Sequence, residues 1–438
     1  MGNSGSVIAP RSVPALIEKR ATAIYVSPSG SDSNAGTLDA PLKSIQTAIN
    51  KAVAGDTIYL RGGTYSLTTN LQITKNGTAS AKYTLTNYQS EKVTIDGEGL
   101  PYTPAELGGS IPNKDRGILH IEGSYWRFIG LELINGPYGV FSRDASNNYY
   151  ERISAHDNYE TGLQIQGAAS NNIVVNVDSY NNRDPRKNGE SADGIGIKEG
   201  SGTGNVIRGS RFWNNVDDGL DFWEFLSPVT VENCYSWGNG FNRQNRWGFS
   251  PFEGDGNGYK LGGGAKDTPV AHVVKNSIAW NNAAGGFVDN TQPGKMQISR
   301  NTAWNNIGGS GFDFADSSAA VTGNASATIK PISASLLTMC SQIGLYNKNN
   351  YLSGSGSASG NSWQSGTWSN SSFKSVDSSI LTGPRNLTGG IIPSNFLLPT
   401  SGAAIGANKP YLLRLTRQKE KLIKLGVAWN MRLCGHED

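Results

Sequence analysis

The sequence predicts an all-β fold, a single parallel β-helix in which successive coils stack along one axis. Three observations point to it. First, from about residue 115 a glycine followed by alternating apolar residues recurs, at Gly139-Val140, Gly162-Leu163-Gln164-Ile165, Gly194-Ile195-Gly196-Ile197, Gly219-Leu220-Asp221-Phe222, Gly258-Tyr259-Lys260-Leu261, Gly286-Phe287-Val288 and Gly311-Phe312-Asp313-Phe314. These glycines are 23, 32, 25, 39, 28 and 25 residues apart. Second, another alternating run lies between them, such as Ile173 to Val177 or Val229 to Asn233. Third, asparagine pairs follow at Asn181-Asn182, Asn214-Asn215, Asn281-Asn282 and Asn305-Asn306. A unit of about 25 residues with several short strands and Gly/Asn turns is a β-helix coil. Alternate residues of each strand face inward. Asparagines at matching turns tolerate the left-handed backbone and can bond from coil to coil. A β-propeller repeats over a longer and more regular period.

The elements follow in chain order. Residues 1–20 read as a leader or propeptide remnant, ending in the dibasic Glu18-Lys19-Arg20. Pro10 and Pro14 break its apolar run, so the export signal is truncated or atypical. The β-helix domain is assigned to residues 21–407. It opens with a strand at Ala23 to Ser27 and a turn-rich loop at Ser31 to Thr37. Leu42 to Ala54 places Ile45, Ala48, Ile49 and Val53 at helical spacing. This short helix is expected to cap the open end of the stack. Thr57 to Leu60 is a strand, followed by a Gly62-Gly63 turn. The steps of 32 and 39 residues mark insertions at Asn182 to Ala192 and Asn239 to Gly256. In solenoids such insertions gather on the binding face. The second is aromatic and basic, with Phe241, Arg243, Arg246, Trp247, Phe249 and Phe252. Beyond about residue 320 the repeat weakens: Ser353 to Ser372 reads as external loops and Ile391 to Ile405 as a covering segment. Residues 408–438 form a basic tail to which no role is assigned.

Composition narrows the function classes. Glycine is abundant at 55 residues in 438, and 37% of residues are hydrophobic. The ten Trp, 17 Tyr and 13 Phe argue against disorder. No apolar run is long enough to cross a bilayer. A net charge of +3 is too small to imply nucleic acid. The chain is expected to act as a monomer with neither nucleic acid nor membrane as partner. Cys234, Cys340 and Cys434 allow at most one bridge. The acceptor triplets at Asn76, Asn324, Asn370 and Asn386 are weak signs of glycosylation and an extracellular setting. His120, His156, His272 and His436 are scattered and read as structural.

The chemistry gathers between Ser191 and Gly263. Asp193 precedes Gly194 and Asp218 precedes Gly219, so the two aspartates occupy equivalent positions on consecutive coils. Adjacent strands lie about 4.8 Å apart, a spacing at which two carboxylates repel unless a cation lies between them. Asp217 neighbours Asp218 at the turn. Asp221 and Lys260 share the outward third position of their strands and should stack on one face. Calcium suits such an all-oxygen set, whereas zinc would call for His or Cys. For any one aspartate, a simple Asp-Gly turn is an equally good reading. The four beside one lysine make a site the better one. Lys260 would be the base, its pKa lowered by a nearby divalent cation, with Gly256, Gly258, Gly262 and Gly263 admitting a ligand close to the backbone. The reaction these parts suit is β-elimination on a polyuronate, in which the C5 proton lies α to a carboxylate. Lys198, Arg243, Arg246 and Lys266 are candidates for binding substrate carboxylates, though ordinary surface ion pairs are equally possible for each.

Ala192-Asp193-Gly194, Val216-Asp217-Asp218-Gly219-Leu220-Asp221 and Gly256-Asn257-Gly258-Tyr259-Lys260-Leu261-Gly262-Gly263 resemble the signature segments of polysaccharide lyase family 9. The resemblance runs from about residue 23 to about 320, and the basic tail is foreign to it. It implies a right-handed parallel β-helix and a secreted, calcium-dependent pectate lyase acting on an anionic plant cell-wall polysaccharide. It also implies calcium ligands at Asp193, Asp217, Asp218 and Asp221 and a lysine base at Lys260. A lyase acting on rhamnogalacturonan or another polyuronate from the same site remains an alternative, as does a non-catalytic, calcium-stabilised carbohydrate-binding β-helix. A polygalacturonase-type hydrolase is disfavoured: Gly-His-Gly is absent, and the one Arg-x-Lys, at Arg417 to Lys419, lies in the tail.

Overall fold

In a computed structural model, residues 22–243, 246–264, 267–322, 324–327, 351–352, 356–366 and 368–407 are described. The expected leader and basic tail, the dibasic site, Lys266, Cys340, Cys434 and His436 lie outside these residues. Among the described residues no helix is long and apolar enough to cross a membrane.

The strands form three long parallel sheets. Sheet A has 12 strands, from Ala23–Val26 to Ser357–Ser359. Sheet B has 10, from Gly63–Ser66 to Ala325–Ala327, and sheet C has 10, from Leu71–Ile73 to Tyr351–Leu352. Ten coils each contribute one strand to each sheet, as the recurring glycine and alternating runs predict, and sheet A has one further strand at each end. The inward residues stack in rows along the axis. In sheet C, Leu163 pairs with Ile195, then Leu220, Tyr259, Phe287 and Phe312. All six are fully buried. Tyr259, Phe287 and Phe312 stack with ring centroids 4.6 and 4.9 Å apart.

The asparagine pairs divide their work. The first of each pair, Asn181, Asn214, Asn281 and Asn305, takes a left-handed φ of 53–56° at the corner. The second points inward and joins a ladder: Asn158, Asn182, Asn215, Asn239 and Asn282 each donate to the next amide oxygen at 2.8–3.0 Å, ending at Asn306. Each such bond contributes roughly 0.5–1.5 kcal/mol, and an unpaired buried amide would be penalised by more. The ladder therefore favours an unbroken coil register beside sheet C.

The structure corrects several boundaries. The cap helix is shorter than expected, Ile45–Lys51, with Ser44 accepting at its N-terminus and Ala52 already extended. Gly63 begins a strand instead of completing a turn. The coils begin with the first strand, not near residue 115: register places Ile118 and Asn70 where the next coil has Gly139, so the first coils lack the recurring glycine. The expected loops at 353–372 include the last strand of sheet A and a short helix, Ser362–Ser365. Asn324 is fully buried, with its amide in a second ladder between Asn301 and Asn361, and so is closed to a glycan in the folded chain. Cys234 is a buried free thiol.

The covering segment lies where expected: Ile391, Phe396 and Leu397 pack on Tyr235, Trp237, Ile278 and Trp280 of sheet B. It is pinned by a buried ion-pair triad. Asp178 accepts from Arg211 Nη2 at 2.6 Å and from Arg385 Nη2 at 2.6 Å. Burial pushes the Asp178 carboxyl up, but Arg385 and Arg211 outweigh that and hold it below its ordinary value. Its contribution is thus present at neutral pH and lost as pH falls through that lowered value. Replacing it by alanine leaves two largely buried guanidiniums without a carboxylate, with only the carbonyls of Leu381, Gly383, Gly209, Gly389 and Val177 as partners. Asp178→Ala should lower the unfolding free energy by about 3–5 kcal/mol in a denaturant titration at pH 7. A change under about 0.5 kcal/mol, the usual surface value, would show that the triad does not hold the segment.

Candidate active site and metal centre

Coil register assembles the site. In sheet C, Gly196 pairs with Asp221 and Asp221 with Lys260, so these three lie side by side on the outward face. The turn before sheet C repeats the same alignment: Gly162 N donates to Asp193 O at 3.1 Å and Gly194 N to Asp218 O at 3.0 Å. Asp193 and Asp218 are therefore equivalent on consecutive coils. Asp193, Asp217, Asp218 and Asp221 are each at most 1% exposed.

Oxygens of Asp193, Asp218 and Asp221 all lie within 4.8 Å of one another, as do those of Asp217, Asp218 and Asp255. Asp218 belongs to both groups and links them. Asp193 Oδ2 accepts from Thr161 Oγ1 at 3.2 Å, while its Oδ1 is buried with no hydrogen-bond partner. Asp218 Oδ1 accepts from Asn257 N at 2.6 Å and from its side-chain nitrogen at 3.0 Å. Asp218 Oδ2 takes no aligned hydrogen bond, although Lys260 Nζ is 3.3 Å away. Asp217 Oδ1 accepts from Asp255 N at 2.7 Å, and Asp221 Oδ1 from Trp223 N at 2.9 Å. Convergent, partly unsatisfied carboxylate oxygens without His or Cys are the donor set of a hard divalent cation. Burial, with neighbouring like charges, pushes Asp193 up to about 6 and Asp218 up to about 8, and raises Asp217 well above the carboxylate range. Bringing these groups together is unfavourable without positive charge.

Two lysines supply some of it. Lys260 Nζ lies 2.7 Å from Asp255 Oδ2, 3.3 Å from Asp218 Oδ2 and 3.9 Å from Asp221 Oδ2. Burial works to lower its pKa, but Asp221, Asp218, Asp217 and Asp255 outweigh that and hold the ammonium well above the ordinary lysine value. The lowering expected from sequence thus does not arise from the chain alone; the carboxylate field acts the other way.

The residues expected to grip substrate do not form one group. Lys198 is buried inside the carboxylate cluster, 2.7 Å from both Asp193 Oδ2 and Asp221 Oδ2. Arg243 turns to the coil corner, where Nη2 donates to Asn214 Oδ1 at 2.7 Å and to Gly238 O, and its guanidinium lies 5.2 Å from the Phe241 ring. Arg246 is exposed and pairs with Asp157 at 3.1 Å. Lys198 and Arg243 are therefore committed to the protein's own acceptors. The glycines near the lysine are also occupied: a Cβ at Gly258 would lie 2.7 Å from Gly286 O, and one at Gly262 2.4 Å from Gln292 Cβ. They allow coils to pack closely, rather than admitting a ligand.

Sequence reasoning missed Asp255. It arrives on the second insertion, whose chain passes so close to Gly240 that a Cβ on Gly256 (φ 83°) would sit 2.6 Å from Gly240 Cα. The signal was an acidic residue between Gly254 and Gly256, five before the lysine. The two insertions meet where Glu253 N donates to Asn188 O at 3.1 Å, flanking the cluster as expected. His120 stacks on Phe141, and His272, driven down to about 3 by burial, accepts from Val229 N; both are structural.

Residues 24–327 match the family described as "Pel9A-like, right handed beta helix region". The chain is 56% identical over 405 residues to pectate lyase PEL9 of Emericella nidulans, covering 88% of this chain and 94% of that protein. The crystal structure of pectate lyase Pel9A superimposes with a TM-score of 0.69 at 27% identity, covering 87% of this chain and 90% of that one. A rhamnogalacturonan lyase superimposes with a TM-score of 0.68 at 25% identity, covering 88% and 99%. Kinship with pectate lyases implies a metal-dependent enzyme, with which the paired acidic groups are in keeping. On this match and on its three parallel sheets, the chain belongs to the Pel9A-like right-handed β-helix family.

Proposed function

We propose that the protein is a calcium-dependent pectate lyase that cleaves polygalacturonate by β-elimination. The observation that carries the reading is the placement of Lys260 against the Asp218 and Asp221 carboxylates, in a chain 56% identical to a pectate lyase. Rhamnogalacturonan is a second reading, favoured by the likeness to a rhamnogalacturonan lyase. Asp193, Asp217, Asp218 and Asp221 are assigned as calcium ligands and Lys260 as the base. Secretion is the matching setting for an enzyme of cell-wall polysaccharide.

The chemistry follows from the groups present. Calcium held by these oxygens would supply positive charge that neutralises the substrate carboxylate, stabilises the carbanion-like transition state and offsets the field on Lys260. Lys260 Nζ, as the free amine, takes the C5 proton. The C5–H electron pair becomes the C4–C5 double bond as the C4–O bond breaks, and the departing oxygen is protonated from solvent. Asp255, at 2.7 Å, orients the Lys260 head group. Because Lys260 is held protonated by its neighbours, turnover should rise with pH through the alkaline range.

With polygalacturonate and calcium at alkaline pH, the protein should release products absorbing as 4,5-unsaturated uronides; reducing ends without that absorbance would indicate hydrolysis. Equal or faster turnover of rhamnogalacturonan would shift the assignment to the second reading. Lys260→Ala should lower kcat by about 10²–10⁴-fold with the circular dichroism spectrum unchanged. Residual activity within a few-fold of wild type would remove it as the base.

A pH-dependent stability effect follows too. Asp193 (about 6) and Asp218 (about 8) are raised above the unfolded value near 3.8, so the folded chain holds protons that the unfolded chain releases. Their contribution is fully present below pH 3.8 and is lost as pH rises through 6 and then 8. In chelator, Tm should fall from pH 5 to pH 8, and calcium should raise Tm most at the upper end. A calcium-induced shift larger at pH 5 would contradict the assignment.

A further inference from the structure

Lys198 has no part in the proton transfer, yet it is the most deeply committed cation of the cluster. Its ammonium lies 2.7 Å from Asp193 Oδ2 and 2.7 Å from Asp221 Oδ2, with the side chain only 11% exposed. The strand Ile195–Ser201 sets Gly196 and Lys198 on one face, and register places Gly196 beside Asp221. Lys198 folds back over Gly196, where an added Cβ would stand 3.2 Å from Lys198 Cε. The glycine thus gives the lysine stem its path to carboxylates on two consecutive coils. Lys260 serves the other half of the cluster, with Asp255 and Asp218 as its nearer partners. Five aspartates facing two ammonium groups retain an excess of negative charge.

We propose that Lys198 is a tethered counter-ion: it holds Asp193 and Asp221 convergent in the metal-free chain and competes with calcium for them, so that it preorganises the site while weakening calcium binding. The proposal rests on the reading of these aspartates as calcium ligands. Both cations draw on the same oxygens, and positive charges a few ångströms apart in a buried site disfavour each other. A lysine suits the role because its compact ammonium sits on a flexible stem that can yield without leaving a planar fork unpaired. The site can then stay folded without metal, at some loss of metal affinity.

The test is calorimetric titration of calcium into the full chain, wild type against Lys198→Met and Lys198→Gln, with Tm recorded in chelator and in calcium. Both variants should bind calcium about tenfold more tightly or better, and both should melt lower than wild type in chelator. A variant unfolded in chelator that folds on adding calcium also supports the proposal, since the metal replaces the missing charge. Equal or weaker calcium binding by folded variants, or variants that stay unfolded in saturating calcium, would overturn it. A wild-type chain that binds no calcium would instead remove the reading of the aspartates on which the proposal stands.

Discussion

Parallel coil register is the constraint on which the rest depends. The Asn158-to-Asn306 ladder and the inward row of sheet C hold each coil directly on the last. Once that register is set, Asp193 must lie next to Asp218, and Asp221 between Gly196 and Lys260. Carboxylates that would separate in solution are thus kept together by backbone hydrogen bonds and apolar stacking elsewhere. The unfavourable charge is concentrated in one place and the favourable packing is spread along the solenoid. Such a division is common where a fold supports a reactive site.

The electrostatics of the site follow from this crowding. Burial raises the proton affinity of Asp193, Asp217 and Asp218, while Asp193 and Asp221 hold Lys198 protonated and Asp221 and Asp218 do so for Lys260. The two lysines differ in what surrounds them. Lys198 pairs with two fully buried carboxylates, Asp193 and Asp221. Lys260 has a half-open partner in Asp255, whose side chain is 57% exposed. That asymmetry supports the proposed roles, proton transfer for Lys260 and charge balance for Lys198.

Much of this was legible in the sequence because a solenoid converts spacing along the chain into adjacency in space. Recurring glycines placed Asp193 with Asp218 and Asp221 with Lys260, and the long steps located the insertions that flank them. What spacing could not show was which way long side chains turn. Lys198 and Arg243 were candidates for substrate carboxylates or surface ion pairs, but one folds into the carboxylate cluster and the other onto the Asn214 corner. Asp255 was missed because it lies in an insertion, outside the repeat that made the other positions comparable. The early coils escaped notice because Asn70 and Ile118 stand where later coils carry the recurring glycine.

The measurement that bears most directly on the central claim is a crystal structure of the protein grown with calcium, with the ion located by anomalous scattering. The account predicts an ion bonded by Asp193, Asp217, Asp218 and Asp221 at roughly 2.3–2.6 Å, with Lys260 left facing the groove. Full calcium-dependent turnover in a protein whose calcium lies elsewhere, with these four carboxylates unligated, would contradict it.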